Sequence, residues 1–259
     1  MVRLFYILTF IFGLSTYSSA QKFNVSEVDA RSYPKVNANF SAFNQVGEYY
    51  TNLETSHFSV NENGLDLPAE SLELFCTSEL PVNVVLVLDR SSSMNEKYNG
   101  ETLWDWAVEG ARTFIENFPF NDSAKVAIIA FAGSVRLTCD FTNNKKELLD
   151  SIKKIPDAYG ATNYNMPMLT PDIGAIDLLK TRPAYHRRAI VFLTDGLHES
   201  TVLRDKEIVA SLIENNVRFY GITLMVGISG DLQNWAAETA GKYSFVASKI
   251  GLSNIYKDF

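Results

Sequence analysis

Two kinds of apolar run alternate along the chain. Val82-Asn83-Val84-Val85-Leu86-Val87-Leu88 and Val126-Ala127-Ile128-Ile129-Ala130-Phe131 are nearly continuous aliphatic stretches, the pattern of strands buried on both faces of a parallel sheet. Ala189 to Leu193, Val217 to Met225 and Tyr243 to Val246 repeat it. Between these runs the period lengthens. Leu103, Trp106, Ala107, Ala111, Phe114, Ile115 and Phe118 recur at helical spacing until Pro119, where a helix has to end. Further helices are expected at Lys145 to Lys154, from Pro167 or Pro171 to Leu179, through Ile208, Leu212 and Ile213, and around Leu232 to Ala240, with a short one closing the chain. The alternation predicts an α/β fold: a doubly wound, mostly parallel open sheet with helices on both faces. Ala132-Gly133 leads straight from the second run into Ser134 to Thr138, so one antiparallel edge strand is expected there.

The chain before residue 80 reads differently. Residues 1–20 start with a lone charge at Arg3, run through apolar Leu4 to Leu14 and end on Ser18-Ser19-Ala20, which fits a cleaved secretory signal peptide. Thr16, Ser18 and Ser19 interrupt the stretch too early for an anchor helix of about 20 apolar residues, and no later segment is long enough to span a bilayer. Residues 21–79 are rich in Asn, Ser and Glu and show no sustained apolar period. They are expected to form a partly ordered N-terminal extension, with Phe40, Phe43, Tyr49, Tyr50 and Leu53 offering one short helix face. Residues 80–259 form the main domain.

Charge and cysteine content narrow the class. A formal net charge of −7, from 23 basic and 30 acidic side chains, has no basic cluster set against it, which disfavours nucleic acid or anionic lipid as a partner. In an oxidising compartment the chain's 2 cysteines, Cys76 and Cys139, are most simply joined as a disulfide, and two unpaired thiols are the alternative. Asn24, Asn39 and Asn121 each begin an Asn-x-Ser sequon, a glycosylation signal that gains weight in a secreted chain.

The chemistry-bearing residues fall where strands end. Asp89-Arg90-Ser91-Ser92-Ser93 follows the first aliphatic run, Gly160-Ala161-Thr162-Asn163 lies in a central loop, and Leu193-Thr194-Asp195-Gly196 closes a later strand. In open α/β sheets, ligands bind beyond the carboxyl ends of strands. A donor set with two carboxylates and several hydroxyls suits a Mg²⁺ that keeps waters and an open position better than a closed Ca²⁺ cage. Taken singly, each residue has a plainer role: Asp89 as a helix cap, the serines in local turn bonds, Thr162 as a loop hydroxyl.

Taken in order, the three pieces resemble the von Willebrand factor type A domain, also called the integrin I-like domain, over about residues 80–259. The resemblance implies a metal-ion-dependent adhesion site at Asp89, Ser91, Ser93, Thr162 and Asp195. In such a site Ser91 and Ser93 bind the ion through their hydroxyls, Thr162 joins in the ligand-competent state, and Asp89 and Asp195 act mainly through water. The implied ion is Mg²⁺, with Mn²⁺ or Ca²⁺ as alternatives, and the implied role is a secreted, non-enzymatic binding module. Its partner would be an extracellular or matrix protein presenting a Glu or Asp. Two departures stand out: the loop Asn95 to Glu101 is long and carries an Asn-Gly turn, and Asn163 to Met168 replaces a small-residue helix start.

The resemblance also implies that a Cys76–Cys139 bridge would tie the extension to the end of the sheet opposite the ion. A metal-dependent hydrolase is the competing class, and an idle or structural site is a third. Of the 3 histidines, His57, His186 and His198, just one is near the site in sequence, which leaves the hydrolase without a convincing general base. His198 and Glu199 either rim the site or sit in a solvated turn.

Overall fold

A computed structural model describes residues 22–29, 32–44, 50, 52–62, 64–72, 81–183, 186–196, 198–199, 202–225 and 227–252. The expected signal segment and Cys76 lie outside the described residues.

Strands β1 (Lys22–Asp29) and β2 (Asn37–Phe43) form an antiparallel pair, as do β3 (Ser59–Glu62) and β4 (Leu65–Pro68). The helix face expected through Phe40 and Phe43 is therefore replaced by a strand. Cross-strand aromatic packing accounts for the change, because the Phe23 and Phe40 rings stack at 5.5 Å and Phe58 meets Phe40 at 4.9 Å, a pairing that a helix could not offer. Tyr49 lies outside the described residues.

The main sheet contains β5 (Val82–Asp89), β8 (Lys125–Phe131), β9 (Val135–Thr142), β10 (Arg187–Thr194), β11 (Val217–Leu224) and β12 (Lys242–Val246), in spatial order β12-β11-β10-β5-β8-β9. All neighbours are parallel except β8 and β9, so the antiparallel edge read from the Ala132-Gly133 turn is present. The remaining strands, β6 (Lys97–Tyr98) and β7 (Glu101–Thr102), make a miniature hairpin. Asn99 and Gly100 turn it with φ of 53° and 88°, values that Asn and Gly tolerate best.

Helices cover both faces. Alternate residues of the central strands, among them Leu86, Leu88, Ile128 and Val191, pack with α1 (Leu103–Asn117) and α2 (Lys145–Ile152) on one side. Val85, Val87, Ile129 and Phe192 pack with α3 (Asn165–Leu169), α4 (Ala175–Lys180), α5 (Asp205–Glu214) and α6 (Gly230–Glu238) on the other. A capping box starts α1: Asp105 N–H donates to Thr102 Oγ1 at 3.0 Å, while Thr102 N–H donates to Asp105 Oδ2 at 2.8 Å. Asn144 likewise caps α2.

The single helix expected from Pro167 or Pro171 to Leu179 is divided. Pro171 disfavours helical backbone at Thr170, and Gly174 passes so close that a Cβ there would lie 2.6 Å from Thr170 O. The chain crosses tightly again after α6, where a Cβ on Gly241 would lie 1.9 Å from Phe219 O in β11. Gly241→Ala should therefore force backbone apart and destabilise by about 1–3 kcal/mol, which chemical denaturation of the variant would measure.

Among the described residues Cys139, buried on β9, has no disulfide partner, and burial pushes its pKa up. Asn24 lies on β1 and Asn39 on β2. Asn121 is exposed, and its Oδ1 accepts the N–H groups of Ser123 at 2.9 Å and Ala124 at 2.7 Å.

Candidate metal centre

The strand order reverses between β5 and β10: from β5 the chain moves to β8 on one side, then returns to β10 on the other. The carboxyl ends of these two strands open the crevice in which doubly wound sheets hold ligands. Asp89 ends β5 and Thr194 ends β10.

Beyond Asp89 the chain folds back on its own carboxylate. Ser91 N–H donates to Asp89 Oδ1 at 2.8 Å, and Ser91 then leads into a 3-10 turn, Ser92–Asn95. This turn places the Ser91 and Ser93 hydroxyls 3.1 Å apart. From the neighbouring strand the Thr194 hydroxyl donates to Asp89 Oδ2 at 2.6 Å. Tyr164 OH lies 3.2 Å from the Thr194 hydroxyl, which also accepts Gly196 N–H at 3.1 Å.

The central loop is tied to the first by main-chain and side-chain bonds, and the third meets the first through the Thr194–Asp89 side-chain bond. Ser92 N–H donates to Gly160 O at 2.8 Å, Gly160 N–H donates to Ser92 Oγ at 2.9 Å, and Tyr159 N–H donates to Arg90 O at 2.7 Å. Thr162 is then held from the far side, as Glu199 N–H donates to Thr162 O at 3.0 Å while Thr162 N–H donates to Glu199 Oε2 at 3.4 Å. Gly160 and Gly196 have φ of 99° and 93°, so both turns need the left-handed region that glycine occupies at little cost. The three motif segments, remote in sequence, adjoin at one end of the sheet.

Burial sets the electrostatics. Asp89 and Asp195 are fully buried, and Ser91 and Thr162 are 1% exposed. Desolvation raises the Asp89 pKa to about 7 against the lowering effect of the Thr194 and Ser91 hydrogen bonds, and Asp195 adds like-charge repulsion. Two dry carboxylates beside each other are costly when ionised and call for a cation. Hard oxygen donors of this kind match a divalent ion. Among the described residues no group of three or more His, Cys, Asp or Glu gathers as a metal cluster. The fit therefore rests on the mixed hydroxyl and carboxylate set.

Reading the sequence motif by motif left the supports unassigned. Thr194 is the hinge of the arrangement, since it joins Asp89, Tyr164 and Gly196. Tyr164 is fully buried within an aromatic cluster that includes Phe131, Phe192 and Trp235, and burial drives its pKa upward. Replacing Thr194 by Val keeps the shape but strips the hydroxyl from Asp89. The expected loss is about 1–3 kcal/mol, measurable by urea unfolding of Thr194→Val. His198 is half-buried, with its ring centroid 4.7 Å from that of Tyr164, and its Nδ1 accepts Tyr164 N–H at 3.3 Å. Burial lowers its pKa, so the neutral ring is favoured. It is a packed loop tether, neither a rim contact nor a solvated turn, whereas Glu199 is exposed.

Comparison with known proteins agrees with this geometry. The von Willebrand factor type A domain model matches residues 84–198. No curated protein sequence matches. Among solved structures, the chain is similar to a von Willebrand factor type A protein from Catenulispora acidiphila, with a TM-score of 0.58 at 19% identity over 69% of this chain and 41% of that one. It is also similar to the SpRpn10 VWA domain, with a TM-score of 0.54 at 17% identity over 68% of this chain and 93% of that one. A third is proximal thread matrix protein 1 from the mussel byssus, solved with a zinc-occupied MIDAS motif, with a TM-score of 0.53 at 19% identity over 69% of this chain and 44% of that one. The matched region is less than half of the Catenulispora and mussel chains. At such identities the solved structures show the fold alone, and it is residues 84–198 that match the von Willebrand factor type A domain.

Proposed function

We propose that the protein is a divalent-metal-dependent protein-binding module that captures a Glu or Asp side chain of a partner at an open ion site. One observation carries this reading: Asp89, Ser91, Ser93, Thr162 and Asp195 lie on three mutually hydrogen-bonded loops at the strand-order reversal. Ser91, Ser93 and Thr162 would offer hydroxyls to the ion, while Asp89 and Asp195 would hold its waters. Few anionic donors leave the ion electron-poor, so a partner carboxylate gains a strong bond. Mg²⁺ is the ion the donor set favours, with Mn²⁺ or Ca²⁺ as substitutes, and the zinc-occupied site of the mussel protein is the precedent for a metal in this fold.

Binding rather than turnover is the reading supported by the placement of the histidines. His198 already spends Nδ1 on the Tyr164 backbone, and His186 hydrogen-bonds Asn83, at the opposite end of β5 from Asp89. We also assign the protein to the extracellular space, on the strength of the segment 1–20 and the sequons. Adhesion or matrix contact is the matching role.

Pull-down of extracellular proteins with the purified chain tests the function. Mg²⁺-dependent partners that are lost on chelation are expected. Partners retained in full after chelation would instead favour a structural or idle site.

A further inference from the structure

Resting on the metal-site reading, we infer that Glu199 selects the partner: the captured acidic residue is flanked by a basic residue and by apolar side chains. Glu199 is exposed, yet its backbone is held beside Thr162 by its own N–H to Thr162 O at 3.0 Å, and its carboxylate accepts the Thr162 N–H at 3.4 Å. It therefore stands next to a residue of the ion site without belonging to a metal-ligating cluster. A partner carboxylate arriving at the ion brings its neighbours against this negative charge. Like charges at such a contact are costly and opposite charges favourable.

Nearby charges reinforce the bias. Glu96, which follows the serine turn through its N–H bond to Ser93 O, and Asp157, in the loop leading to Thr162, are both exposed acids. Among the cations on these loops, Arg90 donates to Asp157 O, Arg204 pairs with Glu207 and Lys249 pairs with Glu101, while Lys97 is exposed beside Glu96. The same rim carries large apolar groups. Tyr159 is 78% exposed, Val202 69% and Ile228 68%. Tyr159 adjoins Gly160, and Val202 is held to Asn165 through its carbonyl. Ile228 follows Gly227, whose carbonyl would lie 3.1 Å from a Cβ on Gly196. Apolar groups on three separate loops around one polar centre match the anatomy of a binding surface, a polar anchor with apolar contacts around it.

The test uses the full chain, saturated with Mn²⁺ as judged by a separate metal titration of every variant, and short synthetic peptides with a central Glu. One peptide flanks it with Leu and Lys, a second replaces Lys by Glu, and a third replaces Leu by Ser. The Leu/Lys peptide should bind at least about tenfold more tightly than either of the others. In Glu199→Gln, which keeps an oxygen for Thr162 N–H, the preference for Lys over Glu should shrink to about threefold or less. Tyr159→Ser with Ile228→Ser should erase the preference for Leu over Ser. Equal binding of the peptides, no binding by any of them to the metal-loaded chain, or a preference unchanged in Glu199→Gln overturns the inference. Failure of the chain to take up metal overturns the ion site itself.

Discussion

Asp89→Asn should abolish metal-dependent partner binding while leaving the metal-free protein as stable as the parent or more so. The substitution preserves shape, and the amide oxygen can still accept the Ser91 N–H that Asp89 Oδ1 accepts at 2.8 Å. The amide nitrogen faces the Thr194 hydroxyl, which can turn its proton toward Tyr164 OH, 3.2 Å away. What disappears is a fully buried charge next to Asp195, and an unpaired buried charge is destabilising. Metal affinity should fall by about 100-fold or more, at or beyond the top of the range seen when groups supporting a metal are changed. Titration calorimetry with Mg²⁺ and thermal unfolding of the same samples would check both halves. Asp195→Asn should behave alike. A variant that loses its fold along with its binding would show that Asp89 serves the scaffold.

The second large effect is a dependence of stability on pH that metal reverses. In the folded, metal-free chain burial raises the Asp89 pKa from its ordinary 3.8 to about 7, so the folded state holds a proton over a range in which the unfolded chain has lost it. That contribution is complete below pH 3.8 and disappears as pH rises through about 7, by linkage. Its size is on the order of 4 kcal/mol. Metal-free protein should therefore lose stability between about pH 4 and pH 7 from this group, and a bound divalent ion should restore it above pH 7. The shift in melting temperature produced by Mg²⁺ is expected to be small at pH 5 and large at pH 8. Asp89→Asn should flatten that part of the profile. A shift in melting temperature independent of pH, or the same in Asp89→Asn, would place the ion elsewhere.

How much was legible in the sequence follows from the physics of each element. The β5, β8 and β10 strands are buried on both faces, so their residues had to be aliphatic almost without interruption and the runs announced them. The candidate site residues stood out for a related reason: small oxygen-bearing side chains stand directly against those runs, at Asp89 and Asp195. Short segments were harder. Phe40 and Phe43 suit a helix face or a strand equally well when read alone, and the choice was made by Phe23 and Phe58, which sequence distance hides. The division between α3 and α4 depends on the close backbone approach at Gly174, a tertiary demand with no local period. Thr194 and Tyr164 escaped because a buried hydroxyl acquires its role from what lies opposite it, and the residue opposite Thr194 is Asp89, 105 positions away. Glu199 was visible as a neighbour of the motif, but its fixation on Thr162 required the fold.

The most direct measurement of the central claim is an anomalous difference map from crystals of the protein grown with Mn²⁺. The account predicts a single strong peak at the carboxyl ends of β5 and β10, about 2.0–2.3 Å from the Ser91 and Ser93 hydroxyl oxygens, with Asp89 and Asp195 behind it. A map with no peak there, or with the ion bound at a different place on the molecule, would contradict it.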